Sequence, residues 1–430
     1  MKFIKKTTSI CHICKRDISA RIYEDEGKMF IKKVCPAHGS FTFLHRFDSP
    51  QMYYFFQGLD MQGYSPAGVF LELTKKCNLN CNYCYNDSRA DRTGEDLDIT
   101  KLPNLDKFKN IYLTGGEPTC RKDLFKVINY FKKQGKRVFI LTNGLKLVSS
   151  EYVKKLKIAG IYAVILSFDS FNDDTYRYMK GKPLLAIKKK AIMNLKDSQI
   201  ATFLINCVVD KVNLKEINLF LNLLSENKII RGLIFVPAMS LGRYRQAFSP
   251  KTSKLFEAFD QQLGIQLKDF FQSTELIVNV LNLFSKYIQN KRYFSKCFLY
   301  CLALEHKVSL IPINNIFDVD LINKKIKRIK NESKWEVFRF FIFFLFHQNF
   351  VNFFKNRNYR IFFIKIIRRW RFIFSGNLTL LNPFISLMFH RVQLFENYDT
   401  EYNKFCGRVY YDQKNNKFEL CCKMCNKFND

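Results

Sequence analysis

Thr74-Lys-Lys-Cys77-Asn-Leu-Asn-Cys81-Asn-Tyr-Cys84-Tyr85 places three cysteines within eight residues, spaced C-x3-C-x2-C, directly after the apolar run Val69-Phe-Leu-Glu-Leu73. Thiolates are the usual ligands of iron–sulfur clusters, and closely spaced cysteines on a loop grip one cluster from several sides. Three ligands rather than four leave one iron of a 4Fe–4S cube open to a further molecule. The apolar run ahead of the loop reads as a strand that delivers the cysteines to one end of a sheet.

Downstream, strand and helix patterns alternate. Strands are expected at 68–74, 110–114, 138–142, 163–168, 201–209 and 232–236, with helices over 122–133, 151–158, a stretch through about 194, and 214–227. Repeated βα units with short apolar strands predict a parallel sheet with its chemistry at the strand C-termini. Three of those ends carry polar turns: Leu113-Thr-Gly-Gly-Glu-Pro118, Leu141-Thr-Asn-Gly144 and Leu166-Ser-Phe-Asp169. Each has an ordinary local reading, as a turn or a helix cap. Their ordered occurrence behind the cysteine triplet argues for one shared site.

Upstream, Cys11-His-Ile-Cys14 and Cys35-Pro-Ala-His38 form two ligand knuckles around a hairpin pattern at 21–34. Four such ligands suit a tetrahedral zinc or a rubredoxin-like iron, and a module this small needs a staple. Four protein ligands leave no open position, so the role is structural; His12 is a bystander. The chain thus divides into a metal-binding module at 1–48, a linker at 49–65, a core at 66–245 and a C-terminal region at 246–430. Fourteen cysteines without an apolar leader favour metal ligation in a reducing compartment, hence a cytoplasmic protein. The net charge of +32 favours anionic partners.

The cysteine motif, the aromatic Tyr85 after it and the three polar turns resemble the radical S-adenosylmethionine (SAM) superfamily, over about residues 66–245. That resemblance implies a partial (β/α)6 barrel. It also implies a 4Fe–4S cluster on Cys77, Cys81 and Cys84, whose open iron takes the amino and carboxylate groups of SAM. By the same resemblance Gly115, Gly116 and Glu117 meet the methionyl amino group. Asn143, Ser167 and Asp169 face the ribose and carboxylate, and Arg243 pairs with a carboxylate. A ferredoxin- or flavodoxin-type electron donor is implied. Cys120 and Cys207 fit no ligand spacing and read as small buried hydrophobes.

Six cysteines lie late in the chain: Cys297, Cys301, Cys406, Cys421, Cys422 and Cys425. An auxiliary 4Fe–4S cluster needs four thiolates, and Cys297, Cys301, Cys406 and Cys421 are the expected set. Cys422-x2-Cys425 as a pincer, a further zinc site and a second auxiliary cluster are the alternatives. The full order of motifs resembles the family of archaeal tetraether lipid synthases, which implies radical carbon–carbon coupling of a lipid. The ending departs from that family: Glu419-Leu-Cys421-Cys422 stands where Pro-Phe-Cys is usual.

Residues 337–395 hold nine Lys/Arg, no Asp or Glu, and many Phe. The longest uncharged run, 372–390, is broken by Gly376, Asn377, Asn382 and Pro383, so a membrane-spanning helix is not expected. An interfacial helix with cationic flanks fits better, giving peripheral contact at the inner membrane face and an anionic apolar substrate. A lining for the barrel mouth fits equally well. The expected activity is therefore hydrogen abstraction from an unactivated carbon, of a lipid first. Peptide modification or methyl transfer is the alternative, and a zinc-ribbon nucleic-acid binder a distant one, because it leaves the polar turns unexplained.

Overall fold

A computed structural model describes residues 1–45, 47–59, 68–91, 96–209, 211–238, 243, 252–284, 298–306, 309–328, 357, 360, 384–390, 408–412 and 416–420. The N-terminal module is a four-stranded antiparallel sheet of β1 (Lys2–Ile10), β2 (Asp17–Asp25), β3 (Lys28–Cys35) and β4 (Gly39–Leu44), paired in that order. The expected hairpin is β2–β3, turning at Glu26 and Gly27, both at positive φ. The stretch expected to be a linker opens instead with helix α1 (Pro50–Gly58). Ser49 caps it by accepting from the Met52 amide, Pro50 stands in the first turn, and Met52, Tyr53 and Phe56 are buried.

Then the βα alternation begins: β5 (Gly68–Thr74), β6 (Asn110–Gly115), α2 (Leu124–Lys133), β7 (Arg137–Thr142), α3 (Ser150–Ala159), β8 (Ala163–Ser167), α4 (Asp173–Lys180), α5 (Leu185–Asp197), β9 (Ala201–Val208), α6 (Leu219–Glu226) and β10 (Ile230–Pro237). Strands β5 to β10 are consecutive parallel neighbours, as the alternation predicts. Helix α2 buries Leu124, Val127, Ile128 and Phe131, the spacing of a single helical stripe. The expected continuous helical pattern after β8 is two helices, because Gly181 takes φ +77 and Pro183 follows. Beyond β10, residues 252–284 form two helices, α7 (Thr252–Leu263) and α8 (Leu267–Phe284), separated at Gly264 with φ +65.

The C-terminal region does more than append to the core. After β11 (Phe298–His306), β12 (Ser309–Pro312) and α9 (Val319–Arg328), it supplies β13 (Phe384–His390), β14 (Arg408–Asp412) and β15 (Lys417–Leu420). β13 pairs parallel with β10, and β14 pairs parallel with β5, so the parallel run extends past the expected six strands at both ends. Antiparallel β11–β12 and β15 complete an eleven-stranded sheet.

One buried cluster joins α1, the helix-facing side of the sheet and helices α2, α3 and α5 to α8. Val69, Leu71 and Leu73 of β5 point into it, so Phe70, Glu72 and Thr74 face the opposite side, the barrel interior. In register, Tyr410, Phe70, Tyr112 and Phe139 form one interior row and stack with centroid separations of 5.0, 4.6 and 4.8 Å. Among the described residues no helix is long and apolar enough to cross a membrane. Replacing Ile140, fully buried on β7, with alanine should cost about 2–5 kcal/mol in urea denaturation. The same change at Ile158, 80% exposed on α3, should cost no more than about 0.5 kcal/mol.

Candidate active site

The three cysteines of the loop after β5 line a cavity of about 250 Å³ at the C-terminal ends of the barrel strands. Tyr85, Gly115, Gly116, Glu117, Asn143, Ser167 and Asp169 line it too, so the structure brings the core site residues read from the sequence to one place. Tyr83, Lys180 and Cys207 join them, and Leu141, Ile165, Ile205 and Val236 form an apolar wall.

The cysteine loop is fastened from several directions. The Cys77 amide donates to Arg89 O (3.0 Å) and the Asn82 amide to Met179 O (3.0 Å). Asn82 Nδ2 reaches Tyr178 O at 2.6 Å, so the end of α4 holds the loop on one side. Arg243 holds the other. Its amide donates to Cys84 O (3.0 Å), its guanidinium to Ser88 O (2.8 Å), and its Nε lies 3.4 Å from Asp87 Oδ1. In this structure the carboxylate that Arg243 pairs with is that of Asp87, in the loop itself.

Gly115 and Gly116 earn their identity from the same loop. Gly115 adopts φ +124, and a Cβ on either glycine would overlap a backbone oxygen, Thr74 O or Lys76 O respectively. The Gly116 amide donates to Thr74 O at 2.7 Å and the Glu117 amide to Lys76 O at 2.9 Å. The buried Glu117 carboxylate then accepts from Thr119 Oγ1 (2.7 Å), Thr142 Oγ1 (2.7 Å) and the Asn143 amide (2.7 Å). It therefore joins the turn after β6 to the turn after β7. Asn143 Nδ2 in turn donates to Asn78 Oδ1, inside the cysteine loop (2.7 Å).

At the end of β8, Asp169 Oδ2 accepts from Ser167 Oγ (2.9 Å) and pairs with Lys180 Nζ (2.9 Å), while Oδ1 accepts from the Cys207 amide (2.9 Å). Burial opposes ionisation of Asp169, but Lys180 and Lys188 outweigh it and hold the carboxyl below its usual range. Lys188 is fully buried and donates to the carbonyls of Asn143 and Ser167, tying the ends of β7 and β8 together. Burial and the nearby Lys180 charge bring its amine down to about 7. Neither lysine was singled out in the sequence. The available signal was Lys180 beside Met179 and four residues after Tyr176, on the face by which α4 packs down.

The thiol donors suit a cluster. Burial raises both Cys77, to about 12, and Cys81, so they need the positive charge of a bound metal to ionise. In the N-terminal module Cys11, Cys14, Cys35 and His38 bring one ligand atom each within 4.8 Å of one another. Two thiolates on a tetrahedral zinc stand about 3.8 Å apart. The Cys14 and Cys35 sulfurs are separated by 3.8 Å. Burial resists ionisation of Cys11, yet the amides of Cys14 and Ile13 prevail and bring it to about 6. His12 instead packs edge-on to Phe41 (4.5 Å) and Phe43 (5.2 Å). Of the late cysteines only Cys301 is described, fully buried on β11, with Ser273 among the groups acting on its thiol. Cys297, Cys406, Cys421, Cys422 and Cys425 lie outside the described residues, as does most of 337–395.

Residues 71–224 match the Radical SAM superfamily, and residues 3–45 match the HMPTM N-terminal zinc ribbon domain. Residues 71–224 thus form a radical SAM superfamily domain, and the chain is an enzyme. It is 29% identical over 384 residues to 7,8-dihydro-6-hydroxymethylpterin dimethyltransferase of Methanocaldococcus jannaschii, covering 77% of this chain and 75% of that one. It is 33% identical over 159 residues to AdoMet-dependent heme synthase of Methanosarcina barkeri, covering 36% of this chain and 45% of that one. Among solved structures it resembles Streptococcus suis SuiB bound to S-adenosylmethionine, with a TM-score of 0.39, 15% identity, and 46% and 48% of the two chains covered.

Removing one partner of a buried ion pair strands the other charge. Lys180→Met should therefore destabilise the chain by about 3–5 kcal/mol, and adding Asp169→Leu should recover part of that loss. Because the Asp169 carboxyl is depressed in the fold, its contribution is complete above its unfolded value of about 4 and disappears as pH falls through the lower folded value. Asp169→Asn should accordingly flatten the acid limb of a stability–pH curve measured by chemical denaturation. Cys35→Ser should remove about one equivalent of metal per chain from the ribbon and lower its unfolding temperature, read by metal analysis and calorimetry.

Proposed function

We propose that this enzyme moves a hydrogen atom from a substrate carbon to the 5′-deoxyadenosyl group of one SAM and methylates the resulting carbon radical from a second SAM, which leaves as S-adenosylhomocysteine, with one electron from the protein reductant for each SAM. The carrying observation is that three thiols, the Gly-Gly-Glu turn and the Lys180–Asp169 pair open onto one cavity. Cys77, Cys81 and Cys84 would hold a 4Fe–4S cluster, which together with SAM would supply a 5′-deoxyadenosyl radical once reduced. The protein's own part is placement. Lys180 offers a cation to a carboxylate entering the cavity, and Ser167 and Asn143 offer polar atoms at its rim. The apolar wall of Leu141, Ile165, Ile205 and Val236 keeps water from a reactive carbon. A ferredoxin- or flavodoxin-type protein is the reductant in this reading.

One-carbon transfer is favoured because the similarity to the pterin dimethyltransferase runs over about three-quarters of both chains, and because residues 3–45 match the HMPTM N-terminal zinc ribbon. The substrate would then be a planar nitrogen heterocycle. A second reading, radical coupling of lipid chains with peripheral membrane contact and an auxiliary cluster, is favoured by the apolar wall and by the aromatic, basic composition of 337–395.

Anaerobically reconstituted, reduced enzyme should convert SAM to 5′-deoxyadenosine, and alanine at Cys77, Cys81 or Cys84 should abolish it. Wild-type enzyme with full iron that yields none would overturn the proposal. Supplying SAM with a deuterated methyl group separates the two readings by mass: label in a heterocycle supports the first, and unlabelled lipid dimers the second.

A further inference from the structure

The antiparallel sheet of the zinc ribbon has two unlike faces. Ala20 and Ile22 of β2 and Met29 and Ile31 of β3 join the main core, so the alternate residues of those strands point away from it. On that outer face the strand register lines up three rows. Phe3, Tyr23, Phe30 and Leu44 stand side by side across β1 to β4. Phe3 is 51% exposed, and its ring lies 5.8 Å from that of Tyr23. Lys6, Arg21 and Lys32 form the next row, all exposed, with Thr42 at its end. Thr8, Ser19 and Ser40, exposed as well, share the third row with Val34.

Like charges directly opposite on neighbouring strands destabilise a sheet. Lys6 stands opposite Arg21, and Arg21 opposite Lys32. Among the described residues none of these three side chains has an ion pair or a hydrogen bond. The acids on the same face of β2, Asp17 and Asp25, stand at its two ends, and Asp25 pairs with the Met1 amino group at 2.8 Å. Solubility asks for no such register, because scattered lysines serve it as well. An anionic partner relieves the repulsion and gives the row a use.

We infer that this face of the ribbon binds single-stranded RNA, with bases stacked on the Phe3–Tyr23–Phe30 row and phosphates on Lys6, Arg21 and Lys32. Rows two residues apart along a strand are separated by about 7 Å, a gap that a ribose bridges between base and phosphate. Exposed aromatic rings on a sheet accept the faces of unpaired bases, whatever their sequence. The hydroxyl row beyond the cations offers hydrogen bonds to the next ribose, whose 2′-OH marks RNA. A membrane rewards apolar area and gains little from that row. The inference concerns the ribbon alone and is independent of the one-carbon reading, which belongs to the barrel.

The test measures binding of full-length, metal-loaded protein to a short fluorescein-labelled oligo(U) by anisotropy across a salt series. Arg21→Ser/Lys32→Ser should lose ~10-fold or more in affinity and lower the slope of log K against log salt by about 1.4. Lys189→Ser/Lys190→Ser, an exposed pair on α5, removes the same charge and should cost less than ~2-fold. Phe3→Ser should lose ~10-fold on the single strand and nothing on duplex RNA, whose bases are already stacked, and Phe3→Trp should restore binding. The matching oligo(dU) should bind wild type at least ~3-fold more weakly. Equal losses from the two charge pairs would mean diffuse attraction to the +32 chain and would overturn the assignment. So would full affinity in Phe3→Ser, no recovery in Phe3→Trp, or DNA bound as tightly as RNA. Loss of ribbon metal in Phe3→Ser or Arg21→Ser/Lys32→Ser would make the rows structural and overturn it too. Phosphatidylserine vesicles are the last arm: if their binding, rather than that of RNA, depends on Arg21 and Lys32, the face is a membrane contact.

Discussion

The structure depends on how closely two backbones approach. The turn after β6 lies so near the start of the cysteine loop that no side chain fits between them, and two amides bridge the gap to Thr74 O and Lys76 O. Everything else at the site is referenced to that junction. Glu117 carries the alignment to the turn after β7, Asn143 carries it back to Asn78 in the loop, and Arg243 closes the far side onto Asp87 and Ser88. Three sulfurs separated along the chain can share one cube only if the loop is held this firmly, because a reactive radical tolerates little misplacement of its target.

Charge is arranged with similar care. The surface is heavily cationic, yet two lysines are buried behind the cavity with different partners. Lys180 balances Asp169, whereas Lys188 meets two backbone carbonyls and carries a neighbour's repulsion. That difference divides their roles: one cation is available at the cavity, and the other clamps two strand ends. A bound cluster and an anionic ligand would add negative charge nearby and favour both lysines in their charged forms.

Much of this was readable in the residues. Strand β5 and its loop were legible to the residue because an apolar run, interrupted only by Glu72, stops where ligand spacing begins. The polar turns were legible as a set, and the ribbon ligands by spacing alone. The individual duties within the set were not. Glu117, expected to meet a methionyl amino group, has its carboxylate engaged by Thr119, Thr142 and Asn143, and that depends on three-dimensional neighbours 2 to 26 residues away. Lys180 and Lys188 looked like two more lysines among many. The outer strands were illegible for another reason: β13 and β14 find their partners β10 and β5 at long sequence separation, and no local periodicity encodes such a pairing.

That pairing orders events during synthesis. β14 lies against β5, so the strand leading into the cysteine loop has an open edge until residues 408–412 leave the ribosome. For most of translation the growing polypeptide displays an unpaired apolar strand, a template for unwanted partners. Chaperone capture, or early docking of α1 and the ribbon, would shield it during that interval. Delivery of iron and sulfide to the nascent site is then best timed after β14 has closed the sheet beside it.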